Sequence, residues 1–110
     1  LLASNPENEM ARDYLLCLHL LAKNLPAFIE DYPKQPGKAP KRLYAEALMI
    51  DLVRHHASGK EIQETIVDPT VVQDFKEYTR LHRQSKGIPQ ALTGKFGKTY
   101  WFYYHFAQNQ

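Results

Sequence analysis

Seven of the thirteen aromatic residues in this chain fall within its last fifteen positions, in the run Phe96-Gly97-Lys98-Thr99-Tyr100-Trp101-Phe102-Tyr103-Tyr104-His105-Phe106. The run does not alternate between apolar and polar side chains, so it has no wet face to offer. Each aromatic group buries roughly 150 to 250 Å². A segment that is apolar on every side must therefore sit deep in its own domain, against another part of the protein, or on a partner. No catalytic motif accompanies it: the sequence has no Gly-rich phosphate loop, no Gly-x-Ser-x-Gly and no His-Glu-x-x-His.

A chain of 110 residues supports one domain, 1–110, with a core that buries roughly two thirds of the unfolded surface. Hydrophobic content of 44% with 24% charged residues is that of a globular protein. The net charge of +2 is too small to imply a nucleic-acid or membrane partner, but it is unevenly spread. Residues 1–32 set Glu7, Glu9, Asp13, Glu30 and Asp31 against Arg12 and Lys23, a net −3 that leaves +5 for the remainder. Cys17 is the single cysteine, which excludes an internal disulfide and a cysteine-based metal framework. The longest apolar stretch, Leu15 to Ala22, is interrupted by His19 and falls far short of the roughly 20 residues a membrane span needs. The start carries no initiator Met and no signal-type segment, and the chain reads as a piece of a longer protein.

Along the chain the pattern is helical throughout. Asn5-Pro6 is a cap followed by a first-turn proline, and it predicts a helix over about 6–23. On its wheel Met10, Ala11, Tyr14, Cys17, Leu18 and Leu21 share the inward face, opposite Arg12, His19 and Lys23. Asn24 to Tyr32 forms a second, shorter helix with Leu25, Phe28 and Ile29 inward, which makes a helical hairpin. The stretch 33–40, with three prolines and a glycine, is an exposed connector. A helix over about 40–57 is apolar in nearly every direction and is expected to be the most buried, with Ser58-Gly59 ending it. Residues 61–67 are ambiguous between helix and coil. Asp68-Pro69 opens a helix to about Lys86, closed by Gly87. One more turn over 89–93, a bend bracketed by Gly94 and Gly97, and a last helix in the aromatic run complete an all-α array of about five to six helices.

Several side chains carry chemistry in principle. His82 lies on the apolar face of its helix beyond Phe75 and Tyr78, and His105 lies inside the aromatic run. Each reads either as a ligand or base in a pocket or as a core histidine bonded to a tyrosine hydroxyl or a carbonyl. Glu46 is an acid on a nearly all-apolar helix, and burial demands that it pair or shift its pKa; hydrogen bonds to a neighbouring helix are expected. Asp51 and His55, four apart, have the spacing of two metal ligands, but no third accompanies them, so an ion pair is expected and no metal. His56 and His19 read as surface residues and Cys17 as core. Lys76, Arg80, Arg83, Lys86, Lys95 and Lys98 are spaced like an ordinary solvated helix face, which argues against nucleic-acid binding.

Four segments together resemble a family of large multi-pass membrane proteins of unknown function from Bacteroidetes-type bacteria, whose soluble C-terminal region is helical. They are Asn8-Glu9-Met10-Ala11-Arg12-Asp13-Tyr14-Leu15, Pro40 with Leu43-Tyr44-Ala45-Glu46-Ala47-Leu48, Val72 with Phe75, and the aromatic run 96–106. The resemblance implies a membrane-spanning region before Leu1, and so a domain attached to the membrane; it leaves the side open, with the periplasmic one favoured. It carries no catalytic residue with it. The Met10-Ala11-x-x-Tyr14 spacing is also similar to the first helix of a tetratricopeptide hairpin, although Lys23 and Pro26 depart from that pattern and no second copy appears at a period of about 34.

These readings converge on a tetratricopeptide-like helical domain that is not an enzyme, holds no cofactor, and serves as an interaction or scaffold module for a protein partner or for the upstream membrane region. Its expected contact surface is Tyr100, Trp101, Tyr104 and His105 with the groove at Phe75 and His82. The alternatives are a small-molecule or catalytic pocket built from Glu46, His82, His105 and tyrosine hydroxyls, which needs a cavity of roughly 300 Å³ or more, and a purely structural domain. Burial of Trp101 is the discriminating observation.

Overall fold

The computed structural model describes residues 6–33, 39–86 and 88–106, and among them every regular element is an α-helix. There are seven: α1 (Pro6–Leu21), α2 (Leu25–Asp31), α3 (Arg42–Arg54), α4 (Gly59–Ile66), α5 (Pro69–Gln84), α6 (Pro89–Phe96) and α7 (Tyr100–Phe106). The ambiguous stretch 61–67 and the single turn at 89–93 both become helices. Asn5, Gly87 and most of the proline-rich connector lie outside the described residues. The chain divides into two compact units, Leu1–Lys34 and Gln35–Gln110.

In the first unit, α1 and α2 form a hairpin. Lys23 turns the chain with φ 59°, and the Asn24 side chain accepts a hydrogen bond from the Ala27 amide at 3.2 Å, which caps α2. His19 Nε2 meets Asp31 Oδ2 at 2.8 Å, so His19 ties the two helices together and is not the surface residue the wheel suggested. The buried positions of α1 are Leu16 and Leu20, four apart, while Cys17 is half-buried. Most of the expected inward face points outward instead. Met10 is 72% exposed, Tyr14 69% and Leu21 58%. The physical reason is that α1 is apolar around most of its circumference, so the wheel alone does not choose between faces. α2, seven residues and roughly 10 Å long, covers only a narrow band of it.

The second unit is built around α3, whose positions Tyr44 to Ile50 are all buried, as its composition requires. α4, α5 and α7 pack on it, and α6 bridges α5 to α7. Ser58 does not end α3. The left-handed residue after α3 is His56 (φ 57°), and Ser58 Oγ accepts from the Glu61 amide at 3.1 Å, so Ser58-Gly59 opens α4. Asp68 caps α5 as its sequence predicts, taking the Thr70 amide at 2.9 Å. Gly94 lies inside α6, and the bend falls at Gly97 alone. A Cβ there would stand 2.5 Å from the Thr93 carbonyl oxygen, so this close approach of backbone to backbone requires glycine.

Candidate functional site

The aromatic run becomes α7, and its two buried residues are Tyr100 and Trp101, the latter 0% exposed. α7 is only seven residues long, and its start is held by side chains. Thr99 Oγ1 accepts from the Phe102 amide at 3.2 Å, and Glu46 Oε1, reaching across from α3, accepts from the Tyr100 amide at 2.7 Å. The same glutamate takes Arg42 Nε on Oε2 at 2.6 Å, and Arg42 continues to Asp74 Oδ2 on α5 at 3.1 Å. The Trp101 indole N–H donates to the Glu46 main-chain oxygen at 2.9 Å, and the Arg42 guanidinium lies 5.6 Å from the centre of the indole ring. Phe75 meets the indole edge-on at 5.0 Å. Glu46 is thus a structural carboxylate whose partners lie on α3 and α7. It does not line the pocket between α3, α5 and α7.

The expected contact surface accordingly splits. Tyr100 and Trp101 are interior and have no face to present, because the chain's own helices cover them, while Phe75 is buried except where it walls the pocket. Tyr104 and His82 are half-exposed and His105 is exposed, and these three line an open pocket of about 400 Å³ between α3, α5 and α7. Ile50, Val53 and Phe75 give it an apolar wall, while Arg54 and Arg83 contribute two cations. Arg54 Nη1 donates to the Tyr104 hydroxyl at 2.8 Å, which sets both side chains at the rim.

The aromatic centre of the pocket has little reactivity left. Tyr78 lies 2.7 Å from His105 Nδ1 and donates to the Trp101 carbonyl at 3.3 Å. Burial pushes its phenol up to about 12, so the hydroxyl stays neutral. Thr79, another of the three hydroxyls in the lining with Tyr104, donates to the Lys76 carbonyl at 2.9 Å. His82 packs its ring against Tyr78, His105 and Phe106, with centroids 5.4 to 6.0 Å apart. Elsewhere, His55 Nδ1 and Asp51 Oδ1 form the ion pair their spacing suggests, at 3.3 Å. Among the described residues no group of three or more His, Cys, Asp or Glu side chains is placed to hold a metal ion.

The sequence profile of a family of unknown function (DUF6057) matches residues 1–107 of the chain. This chain belongs to that family. No curated protein and no solved structure matches it. Among the described residues of this DUF6057 chain, no helix is long and apolar enough to cross a membrane.

Sequence reasoning missed two features of the DUF6057 chain. One is the pair Arg54 and Arg83 at the pocket. Arg83 looked like one more member of a solvated basic face, and nothing local links Arg54 to Tyr104, fifty positions away. The other is the outward stripe of α1, where Met10, Tyr14, Leu18 and Leu21 follow at helical spacing and all are exposed, with Leu15 beside them. The residues of that stripe had been identified, but on the wrong side of the helix.

Proposed function

We propose that this DUF6057 domain is a non-catalytic interaction module that docks through the outward stripe of α1 on a basic amphipathic helix of a protein partner. The observation that carries the reading is the stripe itself: Met10, Tyr14, Leu18 and Leu21, with Leu15 at its edge, are large apolar side chains exposed on one helix face. They extend over roughly 16 Å at 1.5 Å per residue, the footprint of about three turns of a facing helix. Scattered exposed apolar residues need no explanation, but a contiguous stripe of them does. Charge selects the partner's chemistry. The net −3 of residues 1–32 opposes an anionic lipid surface and favours a helix that carries lysine or arginine beside its apolar face.

A non-catalytic role is supported by the engaged state of the pocket hydroxyls: Tyr78 and Thr79 donate to main-chain carbonyls, and Tyr104 accepts from Arg54. The α1–α2 hairpin supports a tetratricopeptide-like scaffold. The resemblance to multi-pass membrane proteins supports a position at a membrane, on the periplasmic side, with the tether in another part of the protein. The aromatic run, by contrast, is read as structural, since α7 serves the core.

The test is a photo-crosslinking amino acid placed at Tyr14 or Leu18 in the protein in its native cells, with a control at exposed Gln73 on α5. The expected result is a protein adduct from the α1 positions only, mapping to a lysine- or arginine-bearing helical segment and abolished by a second substitution, Leu21→Glu, that leaves helicity unchanged. Lipid adducts alone, or adducts equally strong at Gln73, overturn the proposal.

A further inference from the structure

The pocket between α3, α5 and α7 has a composition that selects for a ligand, and this holds whatever docks on α1. Its lining contains Arg54, Arg83, His82 and His105 and no carboxylate. In an ordinary solvated helix surface basic groups are interleaved with acidic ones, as Arg80 is with Glu77 on the outer side of α5. Here the cations are not neutralised. The one polar partner of the Arg54 side chain is the neutral Tyr104 hydroxyl, and Arg83 makes no ion pair among the described residues. The wall behind them is apolar, and the volume of about 400 Å³ lies inside the range of small-molecule sites.

We propose that this pocket binds a small amphipathic anion: its apolar body lies against Ile50, Val53 and Phe75, and its carboxylate or phosphate head is held at the rim by Arg54 and Arg83. A guanidinium presents a planar fork of donors that matches either head group, and these charge-assisted bonds are the strong ones. Tyr104 positions Arg54 through the 2.8 Å bond at Nη1, which leaves the guanidinium's other N–H groups for the ligand. No bond is made or broken. The Tyr78 hydroxyl is bonded to the Trp101 carbonyl and neutral, Thr79 donates to its own helix, and Tyr104 serves to position Arg54, so the proposed role is binding alone.

Isothermal titration of the intact protein with octanoate, octyl phosphate, 1-octanol and octylamine tests this. One or both anions should bind, with 1-octanol and octylamine at least roughly tenfold weaker, since one charge-assisted contact separates them. Arg54→Gln and Arg83→Gln alter exposed side chains, so both variants should keep the wild-type unfolding midpoint and lose roughly tenfold or more in affinity for the anion. The tighter of the two anions identifies the head group. Equal binding of anion and alcohol, binding unchanged in the Arg54→Gln/Arg83→Gln double variant, or no anion binding at millimolar concentration overturns the proposal. None of these outcomes bears on α1, so the docking reading and the ligand reading can fail separately.

Discussion

The Trp101 side chain is bonded to the backbone of Glu46, and the Glu46 side chain to the backbone beside Trp101. The Trp101 indole N–H donates to the Glu46 main-chain oxygen at 2.9 Å, and the Glu46 carboxylate accepts the amide of Tyr100, the residue next to Trp101, at 2.7 Å. Helix α7 is too short to be stable by itself, so this pair, together with Arg42, fixes where the aromatic run enters the core. Removing the carboxylate with Glu46→Ala takes this acceptor from the Tyr100 amide and leaves the Arg42 guanidinium with Asp74 alone. The expected cost is about 2 to 4 kcal/mol, less than for a fully buried ion pair because Arg42 still reaches water. Glu46→Gln keeps an acceptor for the amide and should cost less than Glu46→Ala. Urea unfolding of the three proteins measures this, and equal midpoints would remove Glu46 from the account.

Trp101 is the only tryptophan, so its emission reports the aromatic core directly. With no exposed surface on the ring, emission should be blue-shifted and protected from acrylamide, and both properties should be independent of protein concentration. Emission near that of free tryptophan would mean that the ring is exposed to water, and a blue shift that appears only at high concentration would mean that another molecule covers α7.

Much of this arrangement was legible in the sequence, and the boundary of what was legible has physical causes. Asp68-Pro69 reads only one way, as a cap and a first turn, and it is one. Ser58-Gly59 reads two ways, because a serine before glycine suits a helix end as well as a helix start, and the left-handed residue that decides the matter is His56, which has no glycine signature. α3 was identifiable as core because between Arg42 and Arg54 nothing on it but Glu46 and Asp51 resists burial. α1 was not, because its second half, Tyr14 to Leu21, is apolar in every direction but that of His19 and can bury either side. The Glu46–Tyr100 bond spans 54 positions, and the Arg54–Tyr104 bond spans 50; no local periodicity encodes either.

Val67 offers a second test of local structure. Only this residue and Asp68 separate α4 from α5, and Val67 adopts φ 66° and ψ −53° while the Asp68 amide bonds back to the Ile66 carbonyl at 2.7 Å. That is a γ-turn of the positive-φ kind, which a β-branched residue adopts only at a cost. Its side chain is exposed and contributes little burial. Val67→Gly should therefore raise stability by about 1 kcal/mol, the relief of strain exceeding the added freedom of the unfolded glycine. A thermal midpoint that falls on this substitution would show that the turn is not strained.

Alkaline unfolding tests the aromatic core by another route. Burial holds the Tyr78 phenol up at about 12 and raises those of Tyr100 and Tyr32 as well, for the same cause. In each case the folded protein binds the phenolic proton more tightly than the unfolded chain, whose tyrosines titrate near 10. The stability this represents is fully present below about pH 10, and it declines as pH rises through the folded value, because ionisation then favours the unfolded state. Denaturant midpoints should be flat against tyrosine ionisation up to about pH 10 and then fall steeply toward about pH 12. Tyrosinate absorbance in the native protein should lack the Tyr78 and Tyr100 contributions until the fold is lost. A native-state titration in which all seven tyrosines ionise together near pH 10, with the far-ultraviolet signal intact, would contradict the burial of Tyr78 and Tyr100 and the packing of α7 built on it.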